Sequence, residues 1–141
     1  KHNFQQNHIM SKLTRTNAIL SLPTSENQET SLLGCFVYLS GGVLTPAEHG
    51  GVSPALGACV HYDAPGQPAS VACIAGGLAG TVKLKIDFTA VAVGDYLTLA
   101  DGGTVNADDD AGARTQVGQA LEAGVAGEMI EAVIFKPIVL A

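Results

Sequence analysis

Apolar residues along this chain recur with a period of two. Between residues 81 and 88 the alternation is clean: Val82, Leu84, Ile86 and Phe88 fall on one side, Thr81, Lys83, Lys85 and Asp87 on the other. That spacing predicts a half-buried strand. The next passage reads as a turn at Gly94-Asp95, a strand at residues 96–99, a turn at Asp101-Gly102-Gly103 and a strand from Thr104-Val105. β-branched and aromatic residues bounded by Gly and Asp carry this reading. Upstream, short apolar runs predict strands at residues 35–39, 59–62 and 70–74. Residues 45–54 read as a loop, and the Pro- and Gly-containing segment 63–68 as a tight turn. Downstream, residues 114–121 resume the strand pattern, and Gly118 inside it predicts a bulge or a close backbone approach. Residues 128–135 form the last strand. Ile130, Ala132 and Ile134 share one face; Met129, Val133 and Phe135 share the other. A strand apolar on both faces is central or is covered by a neighbouring subunit. No helical stripe interrupts the series. The expected fold is all-β, a small barrel or sandwich of short antiparallel strands.

Residues 1–33 break the pattern. They contain no Gly, hold three of the seven basic residues, and are rich in Asn, Gln, Ser and Thr. Such composition buries too little apolar surface to order itself. The expected organisation is an extended N-terminal arm at 1–33 and a β domain at 34–141. Within the arm, residues 19–22 read as a short strand ended by Pro23, and Ile19, Leu20 and Leu22 are the residues expected to anchor it on a partner. Deleting residues 1–33 should then leave a folded body with weakened attachment.

Composition narrows the function classes. Aromatic residues make up only 5% and Trp is absent, so Ala, Val, Leu and Ile must build the core. Charged residues make up 14%, which suits a surface partly covered by subunit or lattice contacts. The net charge of −6 lacks the basic face that direct nucleic-acid binding needs. No apolar run is long enough to span a bilayer, and no signal-peptide pattern opens the sequence. Three Cys at irregular spacing argue against a disulfide framework and for assembly in a reducing cytoplasm.

Reactive groupings are sparse. Cys59 and His61 share one strand face and, with Cys73 and His49, could in principle compose a zinc site. Their spacing matches no common zinc pattern, and small buried hydrophobes are the better reading of the thiols. Asp101, Asp108, Asp109 and Asp110 lack the calcium-loop spacing and read as a solvated acidic loop. Glu128 and Glu131 fall on opposite strand faces, which does not suit general acid–base work at one bond. No nucleophile elbow is present, and Gly76-Gly77-Leu78-Ala79-Gly80 leads into a strand rather than the helix that cradles phosphate. No catalytic residue, metal or cofactor is expected.

An ordered set of segments carries a family resemblance. It comprises Ala55-Leu56-Gly57-Ala58, residues 70–76, the strand from Thr81, Val93-Gly94-Asp95 with Leu97, Asp101-Gly102-Gly103-Thr104-Val105, Val117-Gly118-Gln119-Ala120-Leu121-Glu122-Ala123 and the closing strand. Over residues 56–135 this resembles the small capsid decoration, or cement, proteins of tailed double-stranded-DNA bacteriophages. The arm lies outside the resemblance. The resemblance implies a compact β fold, a homotrimer, and a place on the outer capsid bridging copies of the major capsid protein. It implies no catalytic residues; the net charge and the lack of a long apolar run are what speak against direct contact with nucleic acid or membrane. Met129, Val133 and Phe135 are then the expected subunit contacts. The alternative is a virion-surface adhesin or head-fibre base that binds a host glycan, for which Tyr62 and Tyr38 are the aromatic candidates.

Overall fold

The computed structural model describes residues 19–49, 55–74 and 81–141. Among these residues the strands in chain order are β1 Ile19–Leu22, β2 Phe36–Ser40, β3 Val43–Pro46, β4 Gly57–His61, β5 Ala69–Cys73, β6 Val82–Lys85, β7 Tyr96–Leu99, β8 Val105–Ala107, β9 Arg114–Ala120 and β10 Met129–Leu140. They form two five-stranded antiparallel sheets, ordered β1-β5-β4-β2-β3 and β6-β10-β9-β7-β8. The expected all-β architecture is present, and it is present twice. Adding five to each strand number of the first sheet gives the second.

The correspondence reaches single residues. Across β2, β4 and β5 the row Phe36, Ala58, Ala72 is paired residue to residue. Across β7, β9 and β10 the matching row is Tyr96, Gln119, Val133. An isolated parallel bridge joins Thr24 to Leu44 in the first unit and Ile86 to Val105 in the second. Each bridge brings the chain just after the first edge strand onto the last strand, so each sheet curls into a small barrel. Gly57 on β4 and Gly118 on β9 also correspond. A Cβ on Gly57 would collide with the Ala72 carbonyl oxygen, and one on Gly118 with that of Val133. The sequence expectation for Gly118 is met in both forms, because the β7–β9 register also slips beside it.

Each barrel has its own apolar interior. Leu32, Val37, Leu44, Cys59 and Val71 fill the first. Leu84, Ile86, Leu97, Val105 and Ile130 fill the second, and Phe36, Ala58 and Ala72 of the first barrel pack into the same cluster. The two barrels therefore share one continuous contact. The backbone reinforces it, with Lys85 N–H donating to the Gly34 carbonyl at 2.9 Å.

Several elements differ from the sequence expectation. Residues 19–33 belong to the first barrel: β1 pairs with β5 from Ile19↔Ala72 to Leu22↔Ala69, and Leu32 is fully buried. An edge strand needs only one apolar side, and Leu20 and Leu22, two apart, supply it. Residues 1–18 of the expected arm lie outside the described residues. β3 is not among the expected strands: Val43 and Leu44 follow the Gly41-Gly42 turn closely enough to pair back on β2, and the strand runs on into Thr45 and Pro46, the first two residues read as a loop. The strand from Val82 ends at Lys85, and Phe88 is exposed rather than inward. The last strand continues to Leu140, slipping register where Pro137 cannot donate a ladder hydrogen bond.

Candidate functional site

An open groove of about 490 Å³ beside the second barrel is lined by His49, Phe88, Thr89, Asn106, Asp109 and Arg114, among others. Its polar groups largely bind one another. Asn106 Oδ1 accepts from the backbone N–H groups of Phe88 and Thr89 at 3.0 and 3.1 Å. Arg114 donates from Nε to Asp108 Oδ1 at 2.6 Å, from Nη2 to Asp110 Oδ1 at 3.3 Å and from Nη1 to the Gly112 carbonyl at 3.0 Å. Gln116 Nε2 donates to the other Asp108 oxygen at 2.6 Å. The acidic loop is thus clamped: the Asp108 side chain is only 6% exposed, not solvated as expected. Burial pushes the Asp108 pKa up. Hydrogen bonds from Gln116, the Asp110 N–H and Arg114, with the Arg114 charge, outweigh that and hold it below the usual carboxylate range. A guanidinium engaged in this way fixes a loop rather than waiting for a ligand.

The residues weighed as a zinc set are not gathered. Cys35, Cys59 and Cys73 are buried free thiols. Burial pushes the Cys59 thiol up to about 11, only partly opposed by hydrogen bonding with the His61 backbone. Thiols held protonated are poor nucleophiles and poor ligands. The His61 ring faces solvent and pairs with Asp63 at 3.2 Å, while His49 Nδ1 lies 3.3 Å from the Leu99 carbonyl oxygen. Among the described residues no group of three or more His, Cys, Asp or Glu is placed to share a metal ion. Glu128 accepts from the Val125 N–H and Glu131 from the Thr81 hydroxyl, so each carboxylate holds a strand end or turn.

The groups that do face outward together are apolar. Val133 and Phe135 lie on the outer side of β10, opposite Ile130 and Ala132, whereas Met129 on the same side meets the first barrel, its sulfur against Gly34. Tyr96 of β7 meets Phe135 edge-on, with ring centroids 6.5 Å apart. Leu121, just after β9, is also exposed. The β10 residues were legible from alternation, but Tyr96 and Leu121 join them only through strand register, which no local pattern displays. The expected anchors separate: Ile19 is exposed on β1, whereas Leu20 and Leu22 pack on the first core. The two aromatics considered for a glycan turn inward as well. Tyr38 packs on the second core, and the Tyr62 hydroxyl is buried with no hydrogen-bond partner among the described residues.

No protein-family model matches the sequence, and no curated protein matches it. Solved structures do. The chain is similar in fold to the N base of the head fibre protein gp8.5 of bacteriophage phi29. The TM-score is 0.56 at 19% identity, over 82% of this chain and 93% of that one.

Proposed function

We propose that this chain is a non-enzymatic structural protein of a phage virion. In this reading it seats on the outer surface of the expanded head as a homotrimer, binds the major capsid protein and bridges capsomers. The observation that carries the reading is the fold likeness to the phi29 head-fibre base, which spans nearly all of that domain. The resemblance to decoration proteins over residues 56–135 points to the same surface. A protein that recognises only the expanded shell stabilises it by mass action, and many copies with weak contacts reach high avidity.

The head-fibre base that also meets a host glycan is the second reading, favoured because the matched structure is itself a fibre base. One experiment tests both. The purified chain is mixed with expanded shells stripped of surface proteins, and separately with host surface polysaccharide. Saturable retention at symmetry-related shell positions is the expected result. Retention by shells and polysaccharide together moves the assignment to the fibre base. Retention by neither overturns both readings.

A further inference from the structure

The two barrels meet through non-equivalent surfaces. The first presents the outer face of its sheet, where Phe36, Ala58 and Ala72 are 0–1% exposed. The second receives that face on one barrel end, built from β6, Met129 and the turn at Asp101–Gly103. There a Cβ on Gly103 would strike the Phe36 carbonyl, and Gly34 lies against Lys85 and the Met129 sulfur. A two-fold arrangement would bury the matching groups reciprocally. It does not: Gly94, the counterpart of Gly34, and Gly42, the counterpart of Gly103, both face open space. The contact is head to tail, so among the described residues one copy of each surface is left unused.

Both unused copies are visible. On the second barrel the row equivalent to Phe36, Ala58 and Ala72 is Tyr96, Gln119 and Val133; Tyr96 is 50% exposed, and Phe135 and Leu121 flank the row. On the first barrel the receiving end is β1 with the Gly41-Gly42 turn. There Leu39 is 48% exposed, whereas its counterpart Leu99, beneath the inter-barrel contact, is 9% exposed.

We propose that the outer face of the second sheet docks on the β1 end of the first barrel of another copy of this chain. The interface repeats between chains the contact that already joins the two barrels within one chain. Gln119 stands where Ala58 stands inside, and Pro23 aligns with Lys85, so the Lys85-to-Gly34 hydrogen bond has no counterpart. The contact between chains is thus more polar than the internal one and lacks that bond. This inference concerns self-association and holds whichever surface of a virion the chain occupies.

The test uses two single variants of the full chain. Val133→Glu places a charge in the docking row, and Leu39→Asp places one at the receiving end. Each removes one surface and leaves the other intact. Sedimentation of the unaltered chain at tens of micromolar should give an oligomer, closed or growing. Each variant alone should sediment as a monomer, with its far-UV circular dichroism unchanged. Mixed in equal amounts, the two should form a heterodimer that grows no further, because only one intact pair of surfaces remains. Leu121→Asp repeats the docking-face arm if Val133→Glu fails to fold. A monomeric unaltered chain, or variants that associate only with themselves and never as the mixed dimer, overturns the proposal.

Discussion

The two barrels share a strand order and differ in almost everything else. All three Cys lie in the first, and no Lys or Arg occurs between residues 19 and 81. The second has no Cys and carries Lys83, Lys85, Arg114 and Lys136. Its core is closed at one end by Phe36 and Ala58 of the first barrel, while the corresponding end of the first barrel leaves Leu39 half exposed. What the barrels hold in common is where the backbone must do something a side chain forbids. Gly34 and Gly94, Gly41 and Gly102, Gly42 and Gly103, and Gly66 and Gly127 pair off, each at positive φ. The topology is held by turns and close approaches, and the side chains diverge around them.

The largest expected effect separates a barrel from an arm. Deleting residues 1–33 removes β1 and the fully buried Leu32. Loss of a buried leucine alone costs about 2–5 kcal/mol, a large part of a small domain's stability. The shortened chain should lose cooperative unfolding of the first barrel in thermal melts. A shortened chain that melts like the intact one would make the first barrel independent of its edge strand.

The paired close approaches come next. Gly57→Ala and Gly118→Ala each force a methyl onto a carbonyl of the neighbouring strand. Each should cost about 3 kcal/mol, at the upper end of overpacking penalties. Denaturant unfolding should find the two losses similar, and a loss in only one barrel would break the correspondence. Gly94→Val is milder. The site has φ 91 with nothing within 4 Å of a Cβ, so only backbone strain opposes it, on the order of 1–3 kcal/mol.

The repeat was not legible in the sequence, and the reason is physical. At the paired strand positions the halves share the glycine pair Gly57 and Gly118 and the leucines Leu22/Leu84 and Leu39/Leu99, but few other residues. Alternation located most strands and the two faces of β10, because a period of two is local. Register, barrel closure at Thr24 and Ile86, and the burial of Leu32 depend on residues far apart in sequence. In the acidic loop Asp101, Asp109 and Asp110 are exposed as expected, but Asp108 is not, because it meets Gln116 where β9 passes beside it.

Opposite ends of the pH scale should probe opposite barrels. In the second, the folded Asp108 pKa lies below its ordinary value, so its contribution is present above that ordinary value and fades as pH falls through the folded one. Asp108→Asn should cost about 1–2 kcal/mol near neutrality, the worth of its charged hydrogen bonds, and less in acid. Equal losses at both pH values would mean that the charge is not what the loop uses.

The smallest effect belongs to the first barrel. Desolvation raises the folded Cys59 pKa from 9.0 to about 11. The neutral thiol is therefore the form the fold accepts. Its contribution is complete below the unfolded value of 9.0 and is lost as pH rises toward 11. At the middle of that window the loss should be about 1 kcal/mol or less, since burying the thiolate is offset in part by relaxation around it. Cys59→Ala lowers stability at every pH by the missing sulfur's packing, but it should flatten the alkaline decline. The measurement is the difference in unfolding free energy between neutral and alkaline pH for the two proteins. A decline just as steep in Cys59→Ala would assign the alkaline weakness to another group, and the chemical contrast between the barrels would then not extend to their response to base.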